Sequence, residues 1–395
     1  MPSHRGRLAA TAASAILAAG AIATMIPTVA GASGHIRGSA AVCARPVAGE
    51  AACTLRAVTV DGKFAPAASS PRGYGPSDLQ SAYRLPSSTN GAGQTVAIVD
   101  AYDDPNAAAD LNTYRSTYGL TACGTGCFSK VNQTGGSRMP RANGGWAQEI
   151  SLDLDMVSAI CPNCHILLVE ASSNSFSNLL AAEDYATAHA NYVSNSWSGG
   201  EFSSETSSSY DGHFNKAGRV ITASTGDNGY GVGYPASSQY VVAAGGTSLS
   251  RASNTRGWSE TAWSGAGSGC SAYEPQPSWQ SSVGNITSVC SKRALADVSA
   301  VADPNTGVSV YDSYAYQGLS GWLVFGGTSV SSPLLASVFA LSGNTGGAAT
   351  LYANTGSLFD VAGGSNGSCG NDLCNAVSGW DGPTGSGSPN GVAAF

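Results

Sequence analysis

One serine lies at the expected start of a helix, in the segment Phe325–Pro333. Small residues precede Ser329, and the helical pattern of Leu334–Leu341 follows it. At a helix N-terminus, the helix dipole and the free N–H groups stabilise developing negative charge. The segment therefore predicts that Ser329 is a nucleophile, while a serine that only caps a helix remains the alternative.

A serine nucleophile needs a base, and a carboxyl pair is the best candidate in this chain. Beyond the N-terminal segment the sequence has three histidines, none with a convincing catalytic partner: His165, His189 and His213. The expected helix at 146–160 carries Glu149 and Asp153 four residues apart, so they share one face. Apolar neighbours indicate that both carboxyls are partly buried and share a proton, which raises one pKa. Glu149 could then take the proton of Ser329 with Asp153 behind it, unless both belong to a solvated acidic face.

Asp227 follows an expected strand and lies in the segment Ile221–Gly229. An aspartic acid can donate a hydrogen bond only when it is protonated. A role for Asp227 as a donor to an oxyanion therefore requires an acidic medium or a pKa raised by burial. The alternative is that Asp227, Asn228 and Gly229 form only a tight turn.

These segments together resemble the sedolisin family, the serine-carboxyl peptidases, over nearly all of Tyr74–Phe395. The Gly-Thr-Ser…Pro string is similar to the nucleophile segment of the subtilisin-like fold, and the four reactive residues occur in the family's order. The resemblance implies that Ser329 is the nucleophile and Glu149 the general base and acid. It implies equally that Asp153 is the partner of that glutamate and that Asp227 is the oxyanion donor.

The same resemblance implies a substrate-binding edge and one additional acidic residue. Ser196 and Trp197 lie in a segment similar to the edge where the substrate backbone pairs as an added strand. Asp100 closes the first expected strand, where some kumamolisin-like members carry an acidic residue linked to the Glu–Asp pair. A simple cap at the end of a strand is the alternative for Asp100.

Two C-terminal segments resemble the family's calcium loop and imply one structural Ca²⁺ ion. Calcium prefers oxygen ligands, which carboxylates and backbone carbonyls provide. Carboxylates are expected from Asp360 and Asp381, and backbone carbonyls from Val361, Val377 and Gly379. The alternative is a glycine-rich turn region in which the acidic residues are incidental.

The elements that must position these residues alternate between strands and helices. Strands are expected at 94–100, 165–170, 192–197, 219–223 and 240–244, and helices at 106–118, 146–160 and 177–189. Such alternation predicts an α/β protein with a mostly parallel central sheet flanked by helices, and the resemblance implies the subtilisin-like fold. The expected peptidase domain is 73–395, preceded by a short leader or linker at 33–72. Typical sedolisins have a large prodomain, which 33–72 is too short to form.

The N-terminus and the cysteines favour export. Arg5 and Arg7 precede an uncharged, mostly apolar run, so residues 1–32 are predicted to be a signal peptide, with a membrane anchor as the alternative. Ten cysteines fall in five close pairs, which indicates disulfides. The pair Cys161 and Cys164 could instead be a redox or zinc motif.

The amino-acid composition supports a folded domain and argues against one class of function. Hydrophobic residues make up 42% of the 395 residues, which suffices for a substantial core. The net charge of −7, with only 18 lysines and arginines, argues against nucleic-acid binding. We expect a secreted, acid-acting serine-carboxyl endopeptidase of proteins or peptides, monomeric and without stable membrane association. The alternative is a catalytically silent, secreted binding protein on the same scaffold.

Overall fold

Strands and helices alternate along most of the chain. The computed structural model describes residues 37–123 and 126–395, so the predicted signal peptide at 1–32 lies outside the described residues. The strands are β1 Arg37–Ala41, β2 Ala52–Cys53, β3 Arg56–Val60, β4 Lys63–Phe64, β5 Thr95–Ala101, β6 Phe128–Asn132, β7 His165–Ala171, β8 Tyr192–Asn195, β9 Trp197–Gly200, β10 Val220–Ser224, β11 Gly233–Tyr234, β12 Val242–Arg251, β13 Trp258–Ala262, β14 Gly269–Pro275, β15 Lys292–Leu295, β16 Val298–Val301, β17 Val308–Tyr316, β18 Leu319–Gly326, β19 Leu358–Phe359 and β20 Ser388–Pro389. The α-helices are α1 Pro76–Tyr83, α2 Ala107–Thr117, α3 Gly144–Ile160, α4 Phe176–His189, α5 Gly284–Val289, α6 Thr328–Ser342 and α7 Gly347–Ala353.

An eight-stranded sheet forms the centre of the fold, with its main path in the order β13-β12-β10-β8-β5-β7-β6 and β16 beside β12. All of its pairings are parallel except that between β12 and β13. Its inner strands, such as β5, are buried almost throughout, as expected for a parallel sheet covered on both faces. The predicted α/β fold with a mostly parallel central sheet is confirmed.

Two long helices bring the catalytic candidates next to this sheet. α3 is buried from Gly145 to Ile160, and the side chain of Asn143 caps it by accepting hydrogen bonds from two backbone N–H groups. α6 packs on α3 and on β8, β10, β12 and β16. α4 packs on β5 and β7. The helices predicted at 106–118, 146–160 and 177–189 are thus present within two residues of their expected bounds.

Residues 37–72, expected as a leader or linker, form strands that are hydrogen-bonded to the rest of the chain. β1 pairs with β3, and β3 pairs with β18, the strand that leads into α6. β2, which lies between β1 and β3 in the sequence, pairs with β9. The described residues show no boundary between compact units near residue 73. The low-complexity composition concealed these strands, and the partners of β2 and β3 in the rest of the chain, β9 and β18, lie more than 140 residues away in the sequence.

Five disulfides link cysteines that are close in the sequence, and they join the cysteine pairs expected from the sequence. They are Cys43–Cys53, Cys123–Cys127, Cys161–Cys164, Cys270–Cys290 and Cys369–Cys374. The zinc alternative for Cys161 and Cys164 is not the arrangement found, because zinc binds free thiolates and this pair forms a disulfide. In the described ranges no single helix is long and apolar enough to cross a membrane; by length and composition alone, the bent pair α6 and α7 passes that test together.

Candidate active site

Ser329 lies in the first turn of α6, directly against a glutamate from α3. Its Oγ donates a hydrogen bond to Glu149 Oε2 at 2.9 Å, although 180 residues separate them in the sequence. Gly327 precedes the helix with a φ of 100°, a left-handed conformation that favours glycine. Pro333 lacks an N–H group, so it cannot donate to the Ser329 carbonyl one turn earlier; Ser196 Oγ lies 3.3 Å from that oxygen instead.

Glu149 belongs to a buried group of three carboxyls. Glu149, Asp153 and Asp100 all have no exposed surface. Burial raises the pKa of Glu149 well above its usual value, and the nearby charges of Asp153 and Asp100 raise it further. Burial likewise raises the pKa of Asp153, and it raises the pKa of Asp100 to about 8. These carboxyls can therefore hold and exchange protons at a pH where exposed carboxyls are fully ionised.

Asp227 lies next to the N-terminus of α6, with its two carboxyl oxygens in different environments. Oδ1 accepts hydrogen bonds from Thr328 N at 2.8 Å and from Thr328 Oγ1 at 2.9 Å. Oδ2 is buried and has no hydrogen-bond partner. Burial raises the pKa of Asp227 to about 7. Because Oδ1 already accepts two donors, the proton of the neutral acid belongs on Oδ2, which can then donate.

The predicted substrate edge borders the same site. The Ser196 carbonyl lies 3.5 Å from Ser329 Oγ, and Ser196 Oγ donates to Asp153 Oδ1 at 2.9 Å. Trp197 begins β9 and is fully buried, and its Nε1 donates to the carbonyl of Val99. The structure thus brings together every predicted catalytic and substrate-binding residue, and Asp100 lies among them.

The predicted calcium ligands converge elsewhere, on a turn at 377–379. Asp360 accepts hydrogen bonds from Ser378 Oγ and Gly379 N, at 2.8 and 3.1 Å. Asp381 is fully buried and accepts a hydrogen bond from Val377 N at 3.2 Å. Thr384 Oγ1 joins Asp381 to the carbonyl of Val361. Hydrogen bonds thus link Asp360 to Gly379, link Asp381 to Val377, and link Asp381 to Val361 through Thr384.

The sequence did not reveal Thr54, a residue of the N-terminal segment that contacts Ser329 directly. Thr54 Oγ1 lies 2.9 Å from Ser329 Oγ and donates to Ser224 Oγ at 2.6 Å. The Ser329 N–H donates to the Thr54 carbonyl at 3.2 Å. Only the disulfide-forming spacing of Cys43 and Cys53 hinted that this segment is folded.

No described histidine is a hydrogen-bond partner of the Ser329 hydroxyl. His213 pairs with Asp184, and His189 contacts the carbonyl of Tyr185 in its own helix. The oxygen atoms around Ser329 Oγ belong instead to Glu149, Thr54 and Ser196. A serine beside a glutamate, with no histidine partner, is the arrangement that a carboxyl base requires.

Comparison with known protein families identifies the family of this chain. The subtilase family, Peptidase S8, matches residues 89–348, which include Glu149, Asp153, Asp227 and Ser329. The chain belongs to the subtilase family. Its sequence relatives include kumamolisin and sedolisin, and the predicted resemblance to the sedolisin family is confirmed.

Two curated relatives support the assignment to the sedolisin family. The chain is 31% identical over 369 residues to kumamolisin of Bacillus sp. (strain MN-32), covering 82% of this chain and 63% of the relative. It is 28% identical over 365 residues to sedolisin of Pseudomonas sp. (strain 101), covering 82% of this chain and 60% of the relative. The chain therefore spans about three fifths of the length of these curated relatives.

Solved structures confirm the subtilisin-like fold. The chain is similar to Pseudomonas sedolisin, a serine-carboxyl proteinase solved with two molecules of pseudo-iodotyrostatin, with a TM-score of 0.68 and 26% identity. The likeness covers 81% of this chain and 96% of that one. Sphericase, with a TM-score of 0.51 and 17% identity, shares the fold alone.

Proposed function

We propose that this sedolisin-family chain is a serine-carboxyl endopeptidase that hydrolyses proteins or peptides in acid. The observation that carries the proposal is the 2.9 Å hydrogen bond from Ser329 Oγ to Glu149 Oε2. A serine hydroxyl is a weak nucleophile until an adjacent base takes its proton. Glu149 is the only ionisable group hydrogen-bonded to that hydroxyl among the described residues.

In the proposed mechanism, Glu149 removes the proton of Ser329 as Oγ attacks the scissile carbonyl. Asp153 and Asp100 lie behind Glu149 and stabilise the transferred proton by sharing it within the buried group. Glu149 then gives the proton to the leaving amine, and an acyl group remains on Ser329. Water then attacks the acyl carbon as Glu149 takes its proton. Glu149 returns this proton to Ser329 Oγ as the bond to the acyl carbon breaks, and the acyl group is released as a carboxylic acid.

The oxyanion that forms in each step lies between two donors. The Ser329 backbone N–H is at a helix N-terminus, where partial positive charge accumulates. The second donor is the protonated Oδ2 of Asp227, held in place by the two hydrogen bonds from Thr328 to Oδ1. Because the pKa of Asp227 is about 7, this donor is present in acid and is lost as the pH rises above neutrality.

The peptide substrate is proposed to bind as an added strand along β9. Strand β9 pairs with β11 on one side and with β2 on the other, and the backbone of the substrate would take the place of β2. Backbone hydrogen bonds of this kind bind many sequences, because they do not depend on side chains. An endopeptidase needs such an open-ended binding edge, since the substrate chain continues on both sides of the cut.

One structural Ca²⁺ ion fits the C-terminal turn. The donor set is made of oxygen atoms: carboxylates of Asp360 and Asp381, and carbonyls of Val361, Val377 and Gly379. Both carboxylates already face the turn at 377–379 through hydrogen bonds to its N–H groups. A bound calcium ion would neutralise the two carboxylates and cross-link the segments that carry them.

Export of the protein is the remaining part of the proposal. Five disulfides are expected to persist in an oxidising compartment and are rare in the cytosol. Residues 1–32 would serve as the signal that directs the chain there and would then be removed. The exported enzyme is proposed to act as a monomer on proteins outside the cell.

The proposal is tested by incubating the purified protein with unfolded casein from pH 2 to 8. We expect fragments to form in acid and to disappear above neutrality. Ser329→Ala and Glu149→Gln should abolish cleavage while leaving the circular dichroism spectrum and the melting temperature nearly unchanged. Cleavage that persists in the Ser329→Ala protein would move the nucleophile elsewhere, and cleavage that peaks above pH 8 would contradict the role of Asp227.

A further inference from the structure

Three buried aspartates from separate segments of the chain meet beside α3. Asp104 follows β5, Asp110 lies in α2, and Asp312 lies in β17. Each of these residues is at most 3% exposed. One carboxyl oxygen of each lies within 4.8 Å of those of the other two. The three carboxyls belong neither to the catalytic group nor to the turn at 377–379, so the proposed function gives them no role.

Backbone hydrogen bonds fix the direction of each carboxyl but use only one of its oxygens. Asp104 and Asp312 accept through Oδ1, and Asp110 accepts through Oδ2, at 2.7 to 2.9 Å; the N–H donors are, in the same order, Asn106, Tyr314 and Ser313. The other oxygen of Asp312 is buried and has no hydrogen-bond partner. The backbone contacts therefore leave a second oxygen on each carboxyl that can bind a ligand.

Positive side chains do not neutralise these carboxyls. Within the described ranges, no lysine, arginine or histidine forms an ion pair with any of the three. Lys130 donates instead to the Asp103 carboxyl and to the backbone carbonyl of Asp104. Buried carboxyls are normally paired, protonated or bound to a metal ion. Three of them at one point therefore need either protons or a cation.

Gln148 provides a second observation that points to a cation. Its side chain is fully buried on α3, and neither Oε1 nor Nε2 has a hydrogen-bond partner. It lies near Asp312, where it lowers the pKa of that carboxyl. Ser151, one turn later on α3, donates to Asp104 Oδ2 at 3.4 Å, so this face of the helix is turned toward the aspartates. A buried amide without a partner costs stability, which an ion bound to its oxygen would recover.

We propose that Asp104, Asp110 and Asp312 bind a calcium ion, with Gln148 Oε1 as a neutral ligand, at a site separate from the C-terminal turn. Calcium binds carboxylate and amide oxygens at about 2.3–2.6 Å, so two ligands on opposite sides of it are about 5 Å apart. A separation within 4.8 Å therefore lets one ion contact all three carboxyls. The ion would join the segment after β5 to α2 and β17. This inference does not depend on the proposed peptidase activity.

The experiment counts calcium ions by equilibrium dialysis of chelator-treated full-length protein at pH 7.5. We expect about two ions per chain in the original protein, and about one in Asp312→Asn and in Asp381→Asn. In Asp312→Asn the amide oxygen can keep the hydrogen bond from Tyr314, while the charge at Oδ2 is lost. Asp184→Asn is the matched control, because the Asp184 carboxyl is exposed and already pairs with Lys216; it should bind as many ions as the original protein.

The melting temperature distinguishes an ion ligand from an aspartate that only supports the fold. In calcium, Asp312→Asn should melt at a lower temperature than the original protein, because it lacks one bound ion. In chelator it should melt at a higher temperature, because one of three buried like charges is gone. Asp110→Asn should reverse in the same way and serves as the second variant if the first does not fold. A variant that melts lower in both solutions would contradict the inference.

The outcomes separate this site from the calcium site proposed at the C-terminal turn. Loss of one ion in Asp381→Asn but in neither Asp312→Asn nor Asp110→Asn would overturn the inference and keep the other site. One ion in the original protein that is lost in Asp312→Asn would support the inference and overturn the other site. No calcium bound by the original protein would overturn both sites and would assign the neutralisation of the three aspartates to protons.

Discussion

Replacement of Asp227 separates the two functions of its carboxyl group. Oδ1 accepts the hydrogen bonds from Thr328, and Oδ2 is the proposed donor to the oxyanion. In Asp227→Asn the amide oxygen can keep the two hydrogen bonds from Thr328, while the amide nitrogen takes the place of Oδ2. This variant therefore keeps a hydrogen-bond donor toward the oxyanion at every pH. Asp227→Ala has no donor at any pH and serves as the matched loss-of-function variant.

The expected magnitude follows from the pKa of about 7. A group with this pKa is about 99% protonated at pH 5 and about 10% protonated at pH 8. Removal of one oxyanion donor typically lowers kcat by roughly 10²–10³-fold. At pH 5 we expect Asp227→Ala to lose activity by that factor and Asp227→Asn to stay within about tenfold of the original protein. Between pH 5 and 8 the asparagine variant should lose less of its activity than the original protein does.

The assay is kcat for a fluorogenic peptide from pH 3 to 8, with the N-terminus of every sample determined. That control prevents a sample in which β2 still occupies β9 from being mistaken for one with a chemical defect. If Asp227→Ala keeps more than a tenth of the original activity at pH 5, Asp227 is not an oxyanion donor. An asparagine variant as inactive as the alanine variant would show that the carboxyl group has another role.

Three further results are expected. Burial raises the pKa of Glu183 to about 8 from its usual value of 4.5. Between these two pH values the folded protein keeps a proton on Glu183 that the unfolded chain has released. The contribution of this proton to the free energy of unfolding is therefore complete below the window and is lost as the pH rises through it. Glu183→Gln should raise the melting temperature at pH 8 and leave it nearly unchanged at pH 4, and an equal shift at both would contradict this. Gly327→Ala should abolish peptide hydrolysis because its Cβ would lie 2.5 Å from Asp227 Oδ2, whereas Gly343→Ala, at the other end of the same helix with no atom in the way, should remain active. A calcium chelator should lower the melting temperature of the original protein by more than that of Asp381→Asn, since a ligand bound only by the native state stabilises it; an equal change in both would refute the site.

The positions of Glu149, Asp153 and Ser329 in the fold could be predicted because their sequence signals are local. Glu149 and Asp153 are one helical turn apart, and the structure places them on one helix, α3. Ser329 follows small residues and precedes an apolar helical run, and the structure places it in the first turn of α6. Local periodicity also sufficed for most strands of the parallel sheet, whose apolar runs are continuous.

The contact between Thr54 and Ser329 could not be predicted because it joins residues that are far apart in the sequence. Its hydroxyl meets Ser329 across 275 residues, and β3 pairs with β18 across a similar distance. Neither contact leaves a pattern in the Ala- and Pro-rich segment itself. The hairpin of β17 and β18 was missed as well, since its alternation is broken by a bulge between Asp312 and Tyr316.

The most direct test of the central claim is to trap the acyl group on the enzyme. The protein would be mixed with a peptide p-nitrophenyl ester at pH 4, quenched in acid, digested and analysed by mass spectrometry. We predict that the acyl group is found on Ser329, that it is absent from Ser329→Ala, and that Glu149→Gln accumulates little of it. Hydrolysis in acid with the acyl group on another residue, or undiminished acylation in Glu149→Gln, would contradict a serine nucleophile activated by a carboxyl base.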